Sequence, residues 1–343
     1  MRYWIIIALT LVFPATVACA GDTAGRFVLV VHGGAGAMEK LTTAQQTLYK
    51  EGISRALSAG YAVLKDGGSS LDAVSVSIKT LEDDSLFNAG RGAVFNYDGS
   101  NELDASIMDG SNLKAGAVAG VNKVKNPIAA ARAVMEHSPH VMLAGAGAEQ
   151  FAATHGCRIV KPSYFYTTRR WKELQAAKKA LLEKENARKD SGHKTGLLQP
   201  ENADWKYGTV GAVALDKHGN LAAGTSTGSM IAKRWNRIGD SPVIGAGTYA
   251  DNASCAVSCT GWGEYFIRLV MAKSLSDRME LAGETLQTAA HTMIYQKLPA
   301  LGGDGGLIAV DKKGNIIMPF NTAGMFRGFV REDGQISTAI YKD

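Results

Sequence analysis

The order of elements along the chain predicts an α+β protein built from layered sheets covered by helices. Strand-like apolar runs come in consecutive groups and helix-like periodicities come in pairs between them, the pattern of sheet faces buried under helices. Glycine is abundant (39 residues) and proline scarce (8), so tight turns and close backbone approaches are expected rather than a low-complexity linker protein. With 343 residues and 46% apolar content, the chain can bury one large core or two small ones. A charged fraction of 20% argues against wholesale disorder.

Arg26 to His32 reads as a short buried strand that ends in a glycine turn at Gly33-Gly34-Ala35-Gly36. Ile53, Leu57, Gly60 and Leu64 then recur at helical spacing, and Gly67-Gly68 stops that helix. Ser69 with Asp72 opens a second helix, whose apolar face is Leu71, Val74, Ile78 and Leu81. Two strand-like stretches follow, near Glu102 to Met108 and Leu113 to Val121, and then helical patterns at Pro127 to His137 and Ala146 to His155. From about residue 168 to 208 the pattern breaks. Lys172 to Lys189 is highly charged, with at most a Leu174, Ala177, Leu181 face, and Ser191 to Asn202 is polar without periodicity. We expect this segment to be an exposed, mobile linker. Strands resume at Thr209 to Leu215 and Leu221 to Ser226, around a Lys217-His218-Gly219-Asn220 turn, and again at Ala253 to Cys259. Tyr265 to Ala272 and Ala282 to Tyr295 read as helices, and strands at Gly306 to Val310, Ile316 to Met318 and Ser337 to Tyr341 close the chain.

Residues 1–20 are expected to be an export leader. Arg2 gives a charged start, Ile5 to Phe13 a short apolar run, and Ala18-Cys19-Ala20 a small-residue cleavage site. Thr16-Val17-Ala18-Cys19 also forms a weak lipobox, but Thr stands where Leu is preferred, so release is favoured over a lipid on Cys19, and the periplasm is the expected compartment. No other apolar segment is long enough to span a membrane. Without the leader, Cys157, Cys255 and Cys259 remain, an odd number with no C-x-x-C spacing; the latter two read as buried, inert thiols. Seven scattered histidines form no metal-ligand cluster. The net charge of +5 comes without a basic, aromatic-interleaved stripe, so nucleic acid is not the expected partner.

Several motifs compete for the chemistry. Gly224-Thr225-Ser226-Thr227-Gly228 matches the serine-hydrolase elbow, with Ser226 as nucleophile and His291 as base, but Ser229 to Arg237 lacks the helix that must follow. The Gly33 to Gly36 run lacks dinucleotide-fingerprint spacing and reads as a tight turn. A cut at Gly208-Thr209 would instead give Thr209 a free α-amine beside its hydroxyl. Such an amine has a reference pKa of about 7.7–8.0, so it is a base near neutral pH and can activate the hydroxyl.

Longer motifs carry a resemblance. Gly208-Thr209-Val210-Gly211-Ala212-Val213, Asn220 to Gly228, Arg237-Ile238-Gly239-Asp240-Ser241-Pro242 and Ser258-Cys259-Thr260-Gly261 are similar to the plant-type asparaginase/isoaspartyl peptidase family. So are Val31-His32-Gly33-Gly34-Ala35-Gly36, Phe87-Asn88-Ala89-Gly90, Glu102-Leu103-Asp104-Ala105 and Met108-Asp109-Gly110.

The resemblance implies a four-layer αββα sandwich of the N-terminal-nucleophile type. It implies self-cleavage into an α chain (21–208) and a β chain (209–343) that stay in one domain, usually as an (αβ)2 heterotetramer. It makes Thr209 the nucleophile, Thr227 the group that positions it, and Thr260 and Gly261 the oxyanion donors. Arg237 and Asp240 would take the α-carboxylate and α-ammonium of a small-molecule or dipeptide substrate, with Thr260, Gly261 and Gly263 lining the same pocket. Leu81, Glu82, Asp84, Phe87, Ala89 and Arg91 would offer main-chain carbonyls to a structural sodium, with no cofactor needed for catalysis. Asn88 matches an asparagine that stabilises the cleavage geometry, although a turn asparagine explains it equally well. Trp262 and Arg234-Trp235-Asn236 depart from the family pattern and put the substrate range in question. The implied activity is hydrolysis of β-aspartyl peptides and asparagine. The alternatives are a glycosylasparaginase, which typically has Asp where this chain has Gly208, and an exported binding protein without catalysis.

Overall fold

The computed structural model describes residues 25–36, 41–190 and 208–342. The leader and residues 191–207 of the expected linker lie outside the described residues. Among those described, the larger sheet has eight strands in the order β12-β11-β1-β5-β6-β2-β3-β4. These are β1 (Val28–Gly36), β2 (Leu103–Asp109), β3 (Ala115–Val121), β4 (Met142–Ala144), β5 (Val210–Leu215), β6 (Leu221–Thr227), β11 (Gly324–Arg331) and β12 (Ser337–Ala339). Only the β3–β4 pair is parallel. The smaller sheet runs β10-β9-β8-β7, all antiparallel, from β7 (Thr248–Ala250), β8 (Cys255–Gly261), β9 (Gly305–Asp311) and β10 (Ile316–Ile317).

Alternation along β1 shows how the layers form. Successive side chains of a strand point to opposite faces. Leu29 and Val31 join a core with Ile53 and Leu57 of α1 (Thr43–Lys65) and Ile78 of α2 (Ser70–Asp83). Val28 and Val30 join a second core with Val257 of β8 and Leu307 of β9. Helices α1, α2, α3 (Pro127–His137) and α4 (Gly145–Thr154) cover the outer face of the larger sheet. The smaller sheet packs on its inner face and is covered in turn by α6 (Gly263–Leu269), α7 (Met271–Glu280) and α8 (Leu286–Thr292). Helices, sheet, sheet, helices is the αββα order expected. No helix among the described residues is long and apolar enough to cross a membrane.

Two expectations need correcting. Residues 168–190 do not form an exposed linker but the helix α5 (Thr168–Asp190). Its Leu174 and Ala177 are buried against Val94, Phe95, Ile231 and Ala232, and Arg170 is buried with Nε donating to the Gly92 carbonyl at 2.8 Å. High charge obscured a narrow apolar seam, which tertiary packing is enough to hold. Nor is Gly33 to Gly36 a turn, because β1 continues through it, with a register shift between His32 and Gly34. The glycines serve close approach there. Gly34 has φ +109, and a Cβ on it would lie 2.7 Å from the Gly208 Cα.

Two helix boundaries also differ. The Tyr265 to Ala272 pattern divides at Val270, which is left-handed (φ 45), into α6 and α7. The Ala282 to Tyr295 pattern starts later, at Leu286, and passes into a π-helical turn at Met293–Lys297.

Candidate active site

Thr209 immediately precedes β5, beside β6 and β1 in the centre of the larger sheet. Its Oγ1 donates to Thr227 Oγ1 at 3.1 Å, and the same Thr227 oxygen accepts the Ser229 N–H at 2.9 Å. The carbonyl of the preceding residue is held from the other side, because the Asn88 N–H donates to Gly208 O at 3.0 Å. Asn88 is itself fixed: Oδ1 accepts the Val94 N–H at 2.8 Å, Nδ2 donates to Ser229 O at 2.8 Å, and its carbonyl accepts the Gly228 N–H at 2.9 Å. Thr260, at the end of β8, accepts the Ala35 N–H on Oγ1 at 3.2 Å, which leaves its own proton to donate. Beneath these groups, burial pushes the His32 imidazole down to about 3, against a smaller opposing effect of the Thr209 main chain. His32 Nε2 meets Ser258 Oγ at 3.0 Å.

The charged half of the site lies on the loop after β6. Arg237 forms a two-point pair with Glu264, Nε to Oε1 at 2.8 Å and Nη2 to Oε2 at 2.7 Å, and Nη1 reaches Ser229 Oγ at 3.3 Å. Burial works against the guanidinium charge, but the carboxylates of Glu264, Asp240 and Asp104 together outweigh it and hold the Arg237 pKa above its usual value. Asp240 is buried, and its Oδ2 has no hydrogen-bond partner among the described residues. Burial pushes its carboxyl up to about 7, with Arg237 pulling the other way. Asp104, buried on β2 with Oδ1 accepting the Gly120 N–H, is likewise raised by burial against the pull of Lys233 and Arg237. Gly263 explains how the pair fits, since a Cβ there would lie 2.8 Å from Arg237 Nη2 and 2.9 Å from Asp240 Oδ1.

A third part is the loop that follows α2 and carries Asn88. Its local turns use the carbonyls of Leu81, Asp84 and Ala89 as acceptors. Arg169 of α5 takes the carbonyls of Ser85 (2.8 Å) and Leu86 (2.9 Å). With Gly92 O taken by Arg170, the arginines of α5 use carbonyls outside the set expected to face a cation. Any Cβ on Gly90 or Gly92 would collide with Glu82 O or Phe87 O, so these glycines let the loop's main chain pack closely on itself. Among the described residues, no group of three or more His, Cys, Asp or Glu side chains is placed to hold a metal ion.

A family profile described as asparaginase matches residues 25–340. The chain belongs to this family. It is 48% identical to an isoaspartyl peptidase of Escherichia coli over 324 residues, which cover 93% of this chain and 97% of that one. A putative isoaspartyl peptidase/L-asparaginase of Dictyostelium discoideum is 46% identical (92% and 99% covered). A plant-type L-asparaginase of Pyrococcus abyssi is 44% identical (89% and 96% covered). Membership makes the protein an amidohydrolase of the N-terminal-nucleophile class.

The competing serine-hydrolase motif has no support within this family's architecture. Ser226 is buried and donates to Glu82 Oε1 at 2.6 Å, while His291 of α8 lies tilted against the Tyr295 ring of the turn after it. Three residues of the asparaginase site escaped the sequence reading. Ser229 links Thr227, Asn88 and Arg237, yet its left-handed φ of 67 has no signature in a serine. Glu264 and Lys233 carry no motif of their own, and only the fold places them against Arg237.

Proposed function

We propose that the protein cleaves itself at Gly208-Thr209 and then hydrolyses β-aspartyl peptides and L-asparagine through an ester on Thr209. The observation that carries this reading is the pairing around one peptide bond, with the Thr209 hydroxyl on Thr227 and the Gly208 carbonyl on the Asn88 N–H. In cleavage, Thr209 Oγ1 attacks the Gly208 carbonyl carbon. Negative charge develops on an oxygen that already has a main-chain donor, the C–N bond breaks as the ester forms, and water releases the Gly208 carboxylate. The freed α-amine is then the base for turnover. It accepts the Thr209 proton as the hydroxyl attacks the substrate β-carbonyl, and returns it to the departing amine or ammonia. It then takes a proton from water, which attacks the ester, releases aspartate and restores the Thr209 hydroxyl. Thr260 Oγ1 and the Gly261 N–H receive the oxyanion.

With the Nε–Nη2 edge of Arg237 taken by Glu264, its Nη1–Nη2 end holds the substrate α-carboxylate by two hydrogen bonds, and Asp240 takes the α-ammonium, with Thr260, Gly261 and Gly263 lining the pocket. The resemblance supports a structural sodium on this loop, held by Leu81, Glu82, Asp84, Phe87, Ala89 and Arg91 carbonyls, since main-chain oxygens suit a hard monovalent cation. Such a cation would be structural, fixing the loop that presents Asn88. We further infer an exported protein with residues 1–20 removed, working in the periplasm as an (αβ)2 pair of pairs. An isolated native α chain beginning at Met1 would refute export.

Intact-mass analysis of the wild type beside Thr209→Ala tests the mechanism. Two wild-type chains, the smaller beginning at Thr209, against one variant chain is the expected result; an uncut wild type after long incubation would overturn it. Dominant turnover of a glycosylated asparagine over β-aspartyl dipeptides would overturn the substrate class.

A further inference from the structure

The substrate loop has an internal anchor that the reaction as described does not use. Lys233, on the loop after β6, is buried, its side chain 2% exposed. Its ammonium donates to the Arg237 main-chain carbonyl at 2.9 Å and pairs with Glu102 Oε2 at 2.9 Å. Glu102 is held on its other oxygen by Asn96 Nδ2 at 2.7 Å. The main chain at Lys233 is itself pinned: its carbonyl accepts the Tyr97 N–H at 2.9 Å, and the Ala232 N–H donates to Phe95 O at 2.8 Å. Lys233 is therefore a rigid post, and its side chain closes a short loop by gripping the residue four positions on.

That loop needs a grip. Trp235 and Asn236 at its apex are left-handed (φ 56 and 51), a region unfavourable to residues with a Cβ, and Trp235 is 83% exposed, so little packing holds it there. An unanchored loop would relax toward ordinary backbone angles and rotate the Arg237 guanidinium out of two-point geometry.

We propose that Lys233 is a positioning residue, which sets Arg237 for recognition of the substrate α-carboxylate through the Arg237 carbonyl. The inference rests on the reading that Arg237 takes that carboxylate. Lys233 touches no reacting atom, so its loss falls on binding and on one substrate group.

The test is Lys233→Met in the full chain, with self-cleavage and thermal unfolding as checks on folding. For a β-aspartyl dipeptide, KM should rise about tenfold while kcat stays within about threefold. Inhibition by L-aspartate should weaken about tenfold, whereas β-alanine, which is aspartate without the α-carboxylate, should inhibit wild type and variant within about twofold of each other. A merely structural defect would weaken both inhibitors alike. Unchanged KM, a kcat loss with L-aspartate inhibition intact, or equal weakening of both inhibitors would overturn the inference. If the wild type itself does not prefer L-aspartate to β-alanine, the carboxylate reading fails and takes this inference with it. A wild-type preference retained in the variant overturns this inference alone. Should Lys233→Met not fold, Glu102→Gln, which keeps the lysine and weakens its pair, decides the matter by about a threefold rise in KM with kcat unchanged.

Discussion

The two halves of the site are built from different materials. Around Thr209 the groups are hydroxyls and main-chain N–H donors placed on or beside strands, and their partners come from β1, β6 and the Asn88 loop. Around Arg237 the groups are charges, with Lys233 and Asp240 of the same loop, Asp104 of β2 and Glu264 of α6 gathered near one guanidinium. Neutral groups on a sheet hold geometry at low desolvation cost and resist displacement. Buried charges on a loop are tuned by one another, and they respond to pH and to the charge of the substrate. The first arrangement suits stabilisation of a transition state, the second suits recognition of a zwitterion.

The sharpest way to break this comparison is at Thr209. Thr209→Ala should abolish self-cleavage and lower turnover at least about a thousandfold, with the fold retained, as read by intact mass and kinetics. At the charged half, Arg237→Lys keeps the charge but loses the two-point fork. KM should rise roughly 10- to 100-fold, in line with about 1.5–3 kcal/mol for a charged hydrogen bond, while kcat stays within about threefold. A fall in kcat without a KM change would mean that the halves do not divide in this way.

A smaller, graded effect belongs to pH. Asp240 in the free protein stays protonated up to about 7, where an ordinary aspartic acid would ionise near 3.8. On the proposal that ionised Asp240 takes the substrate ammonium, KM should rise as pH falls below about 7, by up to about tenfold per unit, and Asp240→Asn should remove that slope. For stability the sign is opposite. The raised pKa favours the folded state when Asp240 is protonated, and this contribution fades as pH climbs from about 3.8 through 7. The smallest effect is expected at the loop apex. Trp235→Gly relieves a left-handed residue, so Tm should rise by a few degrees and kcat/KM should change by less than about threefold.

Much of this molecule is legible in one dimension. The strand at Val210 to Leu215, the helix at Pro127 to His137 and the Ser69 cap follow from periodicity and capping chemistry, and these depend on near neighbours. Helix α5 was not legible. Its seam is defined by Phe95 and Ile231, which are distant in sequence, and its mean polarity resembles a linker.

The same division holds for the site. The sequence by itself determined the residue types: a threonine after glycine at the start of a strand, and an arginine and an aspartate on a short loop. Only the tertiary structure decided that the Asn88 N–H meets the Gly208 carbonyl, that Glu264 pairs with Arg237, and that Lys233 grips the loop between them. The physical reason is that local propensity acts over a few residues. Asn88 and Gly208 are 120 positions apart and Glu264 and Arg237 are 27 apart, while the four-residue Lys233 grip is backed by Glu102, 131 positions away; such partners meet only after two sheets and their helices have packed.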